Sequence, residues 1–262
     1  MSNSAMHVAR TGLDAQSQRM RVIANNLANV NTTGFKRDRA DFTSLAYQTL
    51  TAPGAVSGGE DRYAIGTQLG TGVAMRGTAP IMSHGSFNVS DNPLDLAIQG
   101  EGFFQVAQPD GSTAFTRAGD LQRSAEGKLV TADGRAIIPE IAIPDGATAI
   151  TIGADGTVSA SIPGEEAASE VGKIEVARFA NPAGLQPLGD SLYAATSASG
   201  EAQVGTPGSE GRGTIRQGAL EGSNVNIVQE LVDMIETQRA YEVNSKMISA
   251  TDEMLKNAAQ QL

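Results

Sequence analysis

The distribution of helix breakers constrains this chain more than any other feature. All ten prolines lie between Pro53 and Pro207, so the first 52 and last 55 residues contain none. Glycine follows suit: Gly12 is the only one before Gly34, and none follows Gly222. Proline and glycine cost a helix interior about 3 and 1 kcal/mol respectively. Two helical ends enclosing an irregular or sheet-rich middle are therefore expected.

Hydrophobic spacing supports that division. Met6, Ala9, Leu13, Gln16, Met20, Ile23, Leu27 and Val30 recur in steps of three and four, all but Gln16 apolar. That is the spacing of a helix offering one stripe to a partner helix. Asn31–Gly34 is expected to end it, with Gly34 in the left-handed conformation. At the other end Ile227, Leu231, Met234, Gln238, Tyr241, Ser245, Ile248, Asp252, Leu255, Ala259 and Leu262 step the same way. A flanking row of Val228, Val232, Ile235, Met247, Met254 and Ala258 widens this apolar surface beyond one seam. Ser223 or Asn224 is the expected N-cap.

The middle reads as sheet. Asp-Gly pairs at 110–111, 133–134, 145–146 and 155–156 signal tight turns. Between them, Leu94, Leu96 and Ile98 share a face, as do Phe104 with Val106, Ile141 with Ile143, and Ile150 with Ile152. Residues 173–179 (KIEVARF) read as one further strand. The Gly-rich stretch 51–72 lacks periodicity and reads as an extended arm or long loop.

Chemistry is poorly supplied. With no cysteine and only His7 and His84, thiolate, disulfide and histidine-based sites have almost no donors. The two Gly-Lys pairs, at 127–128 and 172–173, are followed by Leu and Ile, so neither closes a phosphate loop. Gly100 and Gly102 begin a dinucleotide fingerprint that lacks its third glycine, and no nucleophile elbow occurs. Eleven aromatics and no tryptophan leave little for a sugar platform. We therefore expect no catalytic residue, no metal site and no cofactor. The formal net charge of −10, from 19 basic and 29 acidic residues, argues against nucleic acid as a partner. No apolar run approaches the roughly 20 residues that span a bilayer, so a membrane-embedded chain is not expected. Arg10, Asp14, Arg19 and Arg21 leave no cleavable apolar signal segment in the first 30 residues. His84 reads as a loop residue, and Lys36, Arg37 and Arg39 as a solvated helix exit.

An ordinary α+β monomer would pack both end helices on each other and on the central domain. The second apolar row of the C-terminal helix then has no partner within the chain, which favours contacts with further copies. A secreted β-rich enzyme or binding module remains the alternative of a different class.

Three segments carry a resemblance. ANNLANVNTTGFKR (Ala24–Arg37), DNPLDLAIQGEGFFQV (Asp91–Val106) and SNVNIVQELVDMIETQRAYEVNSKMI (Ser223–Ile248) resemble the signatures of the bacterial flagellar rod and hook family. Chain length and TQLGTGV (Thr67–Val73) are most similar to its distal rod members, with proximal rod and hook members as near alternatives. The resemblance implies an α+β fold in which long N- and C-terminal helices pair as a coiled coil around a β-rich central domain. It implies a discontinuous helical core of 1–35 and 222–262, an arm and connector of 36–75 with 205–221, and an outer domain of 76–204. It implies a helical homo-oligomer, exported uncleaved by the flagellar export apparatus. Proximal rod proteins, hook protein, and the P-ring and L-ring proteins would be its partners. On this reading the self-assembly residues are Leu13, Met20, Ile23, Leu27, Val30, Ile227, Leu231, Met234, Tyr241, Ile248 and Leu255, with Asn25 and Asn29 as inter-subunit polar contacts.

Overall fold

A computed structural model describes residues 2–58, 61–163 and 168–260. The fold is α+β, with one long helix at each end of a β-rich chain: α1 (Ser2–Ala28) and α2 (Ile227–Gln260). At 1.5 Å per residue, the 34 residues of α2 extend about 51 Å. The chain divides into two compact units, one of residues 1–27, 38–79 and 226–262, the other of 28–37 and 80–225.

Helix α1 stops at Ala28, earlier than the apolar spacing suggests, and Val30 lies outside the helix. Residues 29–34 turn instead, with Thr32 N donating to Asn29 O at 3.2 Å. The N-cap of α2 is also shifted: Asn226, not Ser223 or Asn224, accepts from Val228 N at 3.0 Å and Gln229 N at 3.2 Å. An asparagine oxygen at that position satisfies two of the four orphan donors of a helix start. Asn224 is spent elsewhere, accepting from Arg37 N at 2.7 Å and donating to Ile81 O at 2.7 Å.

Between the helices, Asp38–Ser44 pairs with Val73–Pro80. The stretch expected to be an irregular arm is a two-stranded antiparallel ribbon, Tyr47–Thr51 against Thr67–Gly70, with Tyr47 opposite Gly70. A shorter pair, Val56–Gly58 with Asp61–Arg62, continues it. Val73 N lies 3.4 Å from Thr11 Oγ1 and His7 Nδ1 lies 3.2 Å from Thr71 O, so the base of the ribbon rests on α1.

The second unit is built on a seven-stranded sheet. Its path runs Gln186–Gly189, Leu192–Ala194, Thr113–Thr116, Phe103–Ala107, Val176–Arg178, Gln203–Gly205, with Ile137–Ile138 also on Phe103–Ala107. A three-stranded sheet follows the order Ala149–Ile152, Thr157–Ser161, Ser169–Lys173. Leu96–Gln99 pairs with Thr214–Gln217, and Phe87–Val89 with Ala219–Glu221. All four Asp-Gly turns form, with Gly111, Gly134, Gly146 and Gly156 at φ between 79° and 88°. The preceding aspartates keep negative φ, so these turns place one left-handed glycine rather than two left-handed residues.

Leu96, Ile98, Phe104, Ile137, Val158 and Ile174 are buried in the main core. Phe103, Phe115, Phe179 and Tyr193 form a second cluster with edge-on rings, the closest pair 4.8 Å apart. Neighbouring Phe103 and Phe104 thus serve different clusters, so that strand is covered on both faces. KIEVARF is not one strand. Lys173 ends the strand paired with 157–161, and Val176 begins the strand paired with 103–104. The strand ends where its hydrogen-bonding partner changes, information that β-propensity does not hold.

Candidate assembly surface

Within the first unit the two helices run antiparallel and meet through polar and small residues. Asn26 Nδ2 donates to Glu230 Oε2 at 3.3 Å, and Arg19 Nη2 lies 3.7 Å from Asp233 Oδ1. Farther along, a Cβ on Gly12 would sit 3.2 Å from Asn244 Nδ2. As one number rises the other falls, which fixes the antiparallel sense. The covered face of α2 is Glu230, Asp233, Thr237, Ala240, Asn244 and Ile248, spaced by three and four. On α1 the buried residues are Ala9, Ala15, Ile23 and Asn26.

Most of the apolar stripe read on α2 is not the face turned to α1. Ile227, Leu231 and Tyr241 are exposed, and Met234 and Ile248 are only half-buried. The side chain of Leu255 lies outside the described residues. Leu13, Met20, Leu27 and Val30 are half-buried, and Ile23 alone of the expected α1 set is buried. With Val228, Val232, Ile235, Val243, Met247 and Met254, exposed apolar side chains run nearly the length of α2, at 37–71% exposure. A monomer rarely shows so long an uncovered apolar surface.

Asn25 is exposed, and Asn29 Oδ1 accepts from Thr32 Oγ1 at 3.1 Å within the turn. The buried asparagine is Asn26. Its side-chain amide accepts from Asp38 N and donates to Asp38 O, both at 2.9 Å. One amide therefore pins the first strand and Glu230 to α1. Burial pushes the Asp38 carboxyl up.

In the second unit, sequence reasoning missed a clasp of buried charges. Lys36, expected in solvent, has a fully buried side chain, and its Nζ lies 2.6 Å from Glu221 Oε1. Arg117 Nη1 lies 3.2 Å from Glu221 Oε2, with its side chain 4% exposed. Gly85 N also donates to Glu221 Oε1, at 3.2 Å, and His84 Nδ1 stands 3.5 Å from the same oxygen. Backbone carbonyls complete the cations' shells: Lys36 on Ser83 O at 2.8 Å, Arg117 on Ile98 O at 3.2 Å and Gly100 O at 2.8 Å. The Arg117 guanidinium also stands 5.3 Å from the centre of the Phe103 ring.

Burial works against the Glu221 carboxylate, but the charges of Arg117 and Lys36 with their hydrogen bonds outweigh it and hold its pKa below the usual range. Burial dominates for both cations and lowers Lys36 and Arg117. Gly34 shows why the clasp closes tightly. It takes φ +67° after the α1 turn, donates to Glu221 O at 2.8 Å, and a Cβ there would stand 2.5 Å from Ala118 N. One signal could have found Glu221: it shares a strand face with Ala219, which is fully buried.

No helix among the described residues is long and apolar enough to cross a membrane. Residues 6–36 match the family profile described as flagella basal body rod protein, and 97–160 that of the flagellar hook protein FlgE/F/G D1 domain. Residues 216–261 match flagellar basal body rod FlgEFG protein C-terminal. The chain belongs to the flagellar rod and hook family, a family of structural proteins rather than enzymes. It is 48% identical, over 98% of both chains, to flagellar basal-body rod protein FlgG of Buchnera aphidicola subsp. Schizaphis graminum. Identity to FlgG of Caulobacter vibrioides is 43%, again over 98% of both. FlgF of Escherichia coli is more distant, at 34% identity over 98% of each chain.

Proposed function

We propose that this chain is the structural subunit of the distal rod, polymerising helically into a rigid hollow shaft that carries torque from motor to hook. The observation that carries the reading is the uncovered apolar surface of α2. A self-contained helix pair would turn those rows inward and leave Glu230, Asp233 and Thr237 in solvent, the reverse of what is found. Covering each such side chain in a neighbouring copy is worth about 1.5–3 kcal/mol. A helical array needs contacts that repeat without closing on themselves. Helices paired as a coiled coil, with their outer apolar rows meeting other copies, supply such contacts.

The remaining roles follow from this reading. The helical ends form the contacts between copies, and the ribbon of 47–70 is a contact arm that stiffens the array. Leu13, Met20 and Leu27 join the α2 rows as assembly residues. The shaft adjoins proximal rod proteins at one end and hook protein at the other. It crosses the periplasm within the P-ring and L-ring proteins, after export through the flagellar export apparatus without a cleaved signal. The greater identity to FlgG than to FlgF relatives favours the distal over the proximal position.

Leu231→Asp tests the reading, because it puts a charge into the apolar surface without touching the polar face. Cells carrying it are expected to export the subunit but build no distal rod. Full-length rods seen by electron microscopy of their basal bodies would defeat the assignment of that surface.

A further inference from the structure

Two edge strands of the larger sheets in the second unit are closed by side chains of the unit itself. An edge strand exposes N–H and C=O groups that template pairing with another chain. On the strand Ala149–Ile152, the Gln217 amide takes one carbonyl and one N–H that a neighbouring strand would use. Its Nε2 donates to Ile150 O at 2.9 Å, and its Oε1 accepts from Ile152 N at 3.1 Å. A third contact, Nε2 to Pro93 O at 2.8 Å, fixes the amide in place. On Gln203–Gly205, Arg212 folds back from the following turn. Its Nε donates to Gln203 O and its Nη2 to Val204 O, both at 3.2 Å. The Arg212 side chain is only 7% exposed and is held by Glu210 Oε2 at 2.9 Å. On Gln186–Gly189, Pro187 removes a donor and the register shifts between Pro187 and Gly189. The remaining edge, Ser169–Lys173, ends in a lysine, and its ladder is broken by a register shift.

We infer that Arg212 and Gln217 determine assembly specificity by denying sheet edges to a second copy of this chain. The inference rests on the proposed polymer, in which many identical second units lie side by side at high local concentration. There, identical open edges would pair with each other and compete with the helical contact. Arg212 suits the task because its planar fork reaches two successive carbonyls, which a lysine cannot span. Gln217 suits it because a primary amide reproduces the donor and acceptor of a peptide group.

The test places Arg212→Ala with Gln217→Leu in the full chain carrying Leu231→Asp, which on the proposed reading cannot assemble through α2. Sedimentation of the Leu231→Asp chain should give a monomer. Adding the two edge substitutions should shift it to larger species that grow with concentration, with an infrared signal of intermolecular strands. A variant that melts like its Leu231→Asp parent and stays monomeric at the same concentrations overturns the inference. If the Leu231→Asp chain already polymerises, the α2 reading fails instead. The edge inference is then judged on whether the added substitutions create the intermolecular strand signal. Should Arg212→Ala unfold the turn, Arg212→Lys keeps the charge without the fork and must produce the same shift; its absence overturns the inference equally.

Discussion

Glu221 shares one carboxylate between two buried cations, so its removal should cost more than any surface ion pair in the chain. Glu221→Ala would leave Lys36 and Arg117 close together without an anion, and breaking a buried pair in this way costs about 3–5 kcal/mol. Chemical denaturation should show that loss, while Arg39→Ala, which breaks an exposed pair with Asp41, should change stability by no more than about 1 kcal/mol. The clasp is also acid-sensitive, in a defined direction. Because the folded protein holds Glu221 below the ordinary glutamate value of about 4.3, its contribution is fully present above that pH. It is lost as pH falls further, through the folded value. The stability gap between the parent and Glu221→Gln should therefore shrink on acidification below about pH 4.3. A gap that stays constant would show that the charge on Glu221 does not hold the clasp. None of this was legible at Lys36 itself, which sits beside Arg37 and Arg39 in what reads as a basic cluster. Its partner is 185 residues away, and local spacing cannot point across that distance.

The helices were legible as elements because the chain lacks breakers at both ends. Their facing surfaces were not. The apolar rows of α2 predict a buried seam wherever apolar residues are assumed to seek their own chain. Instead Asn26 with Glu230 and Arg19 with Asp233 choose the contact face, and Gly12 leaves room there for Asn244. This predicts opposite behaviour for two substitutions of the same kind. Ile23→Asp puts a charge where the native side chain is 4% exposed, so it should destabilise the first unit of the dilute, unassembled chain. Leu231→Asp, at a position 44% exposed, should leave the melting of that chain within about 0.5 kcal/mol of the parent while abolishing assembly. Calorimetry of dilute protein, alongside a filament assay, separates the two. Equal destabilisation by both would mean that the α2 rows are already covered within one chain.

For the molecule as a polymer subunit, the exposed ribbon raises the same question as α2. Tyr47, Leu50, Val56, Tyr63, Ile65 and Leu69 are all exposed on it, Ile65 to 84%. Two isolated strands are marginal in water and gain little from apolar residues with nothing to cover them. Such residues earn their place only if neighbouring copies pack against them, which is the stiffening role proposed for the arm. The strand register supplies a clean excision. Tyr47 and Gly70 face each other across the ladder, so their Cα atoms stand about 4.5–5.5 Å apart, close to the 3.8 Å of a direct peptide link. Removing 48–69 should therefore close the chain without opening Asp38–Ser44 and Val73–Pro80, and Leu45 N should keep its 2.9 Å bond to Gly72 O. The shortened subunit should melt like the parent when dilute, still polymerise through α2, and form filaments that bend more readily in electron micrographs. Straight filaments of unchanged stiffness would remove the ribbon from the account of rigidity and leave that property to the helices and the second unit.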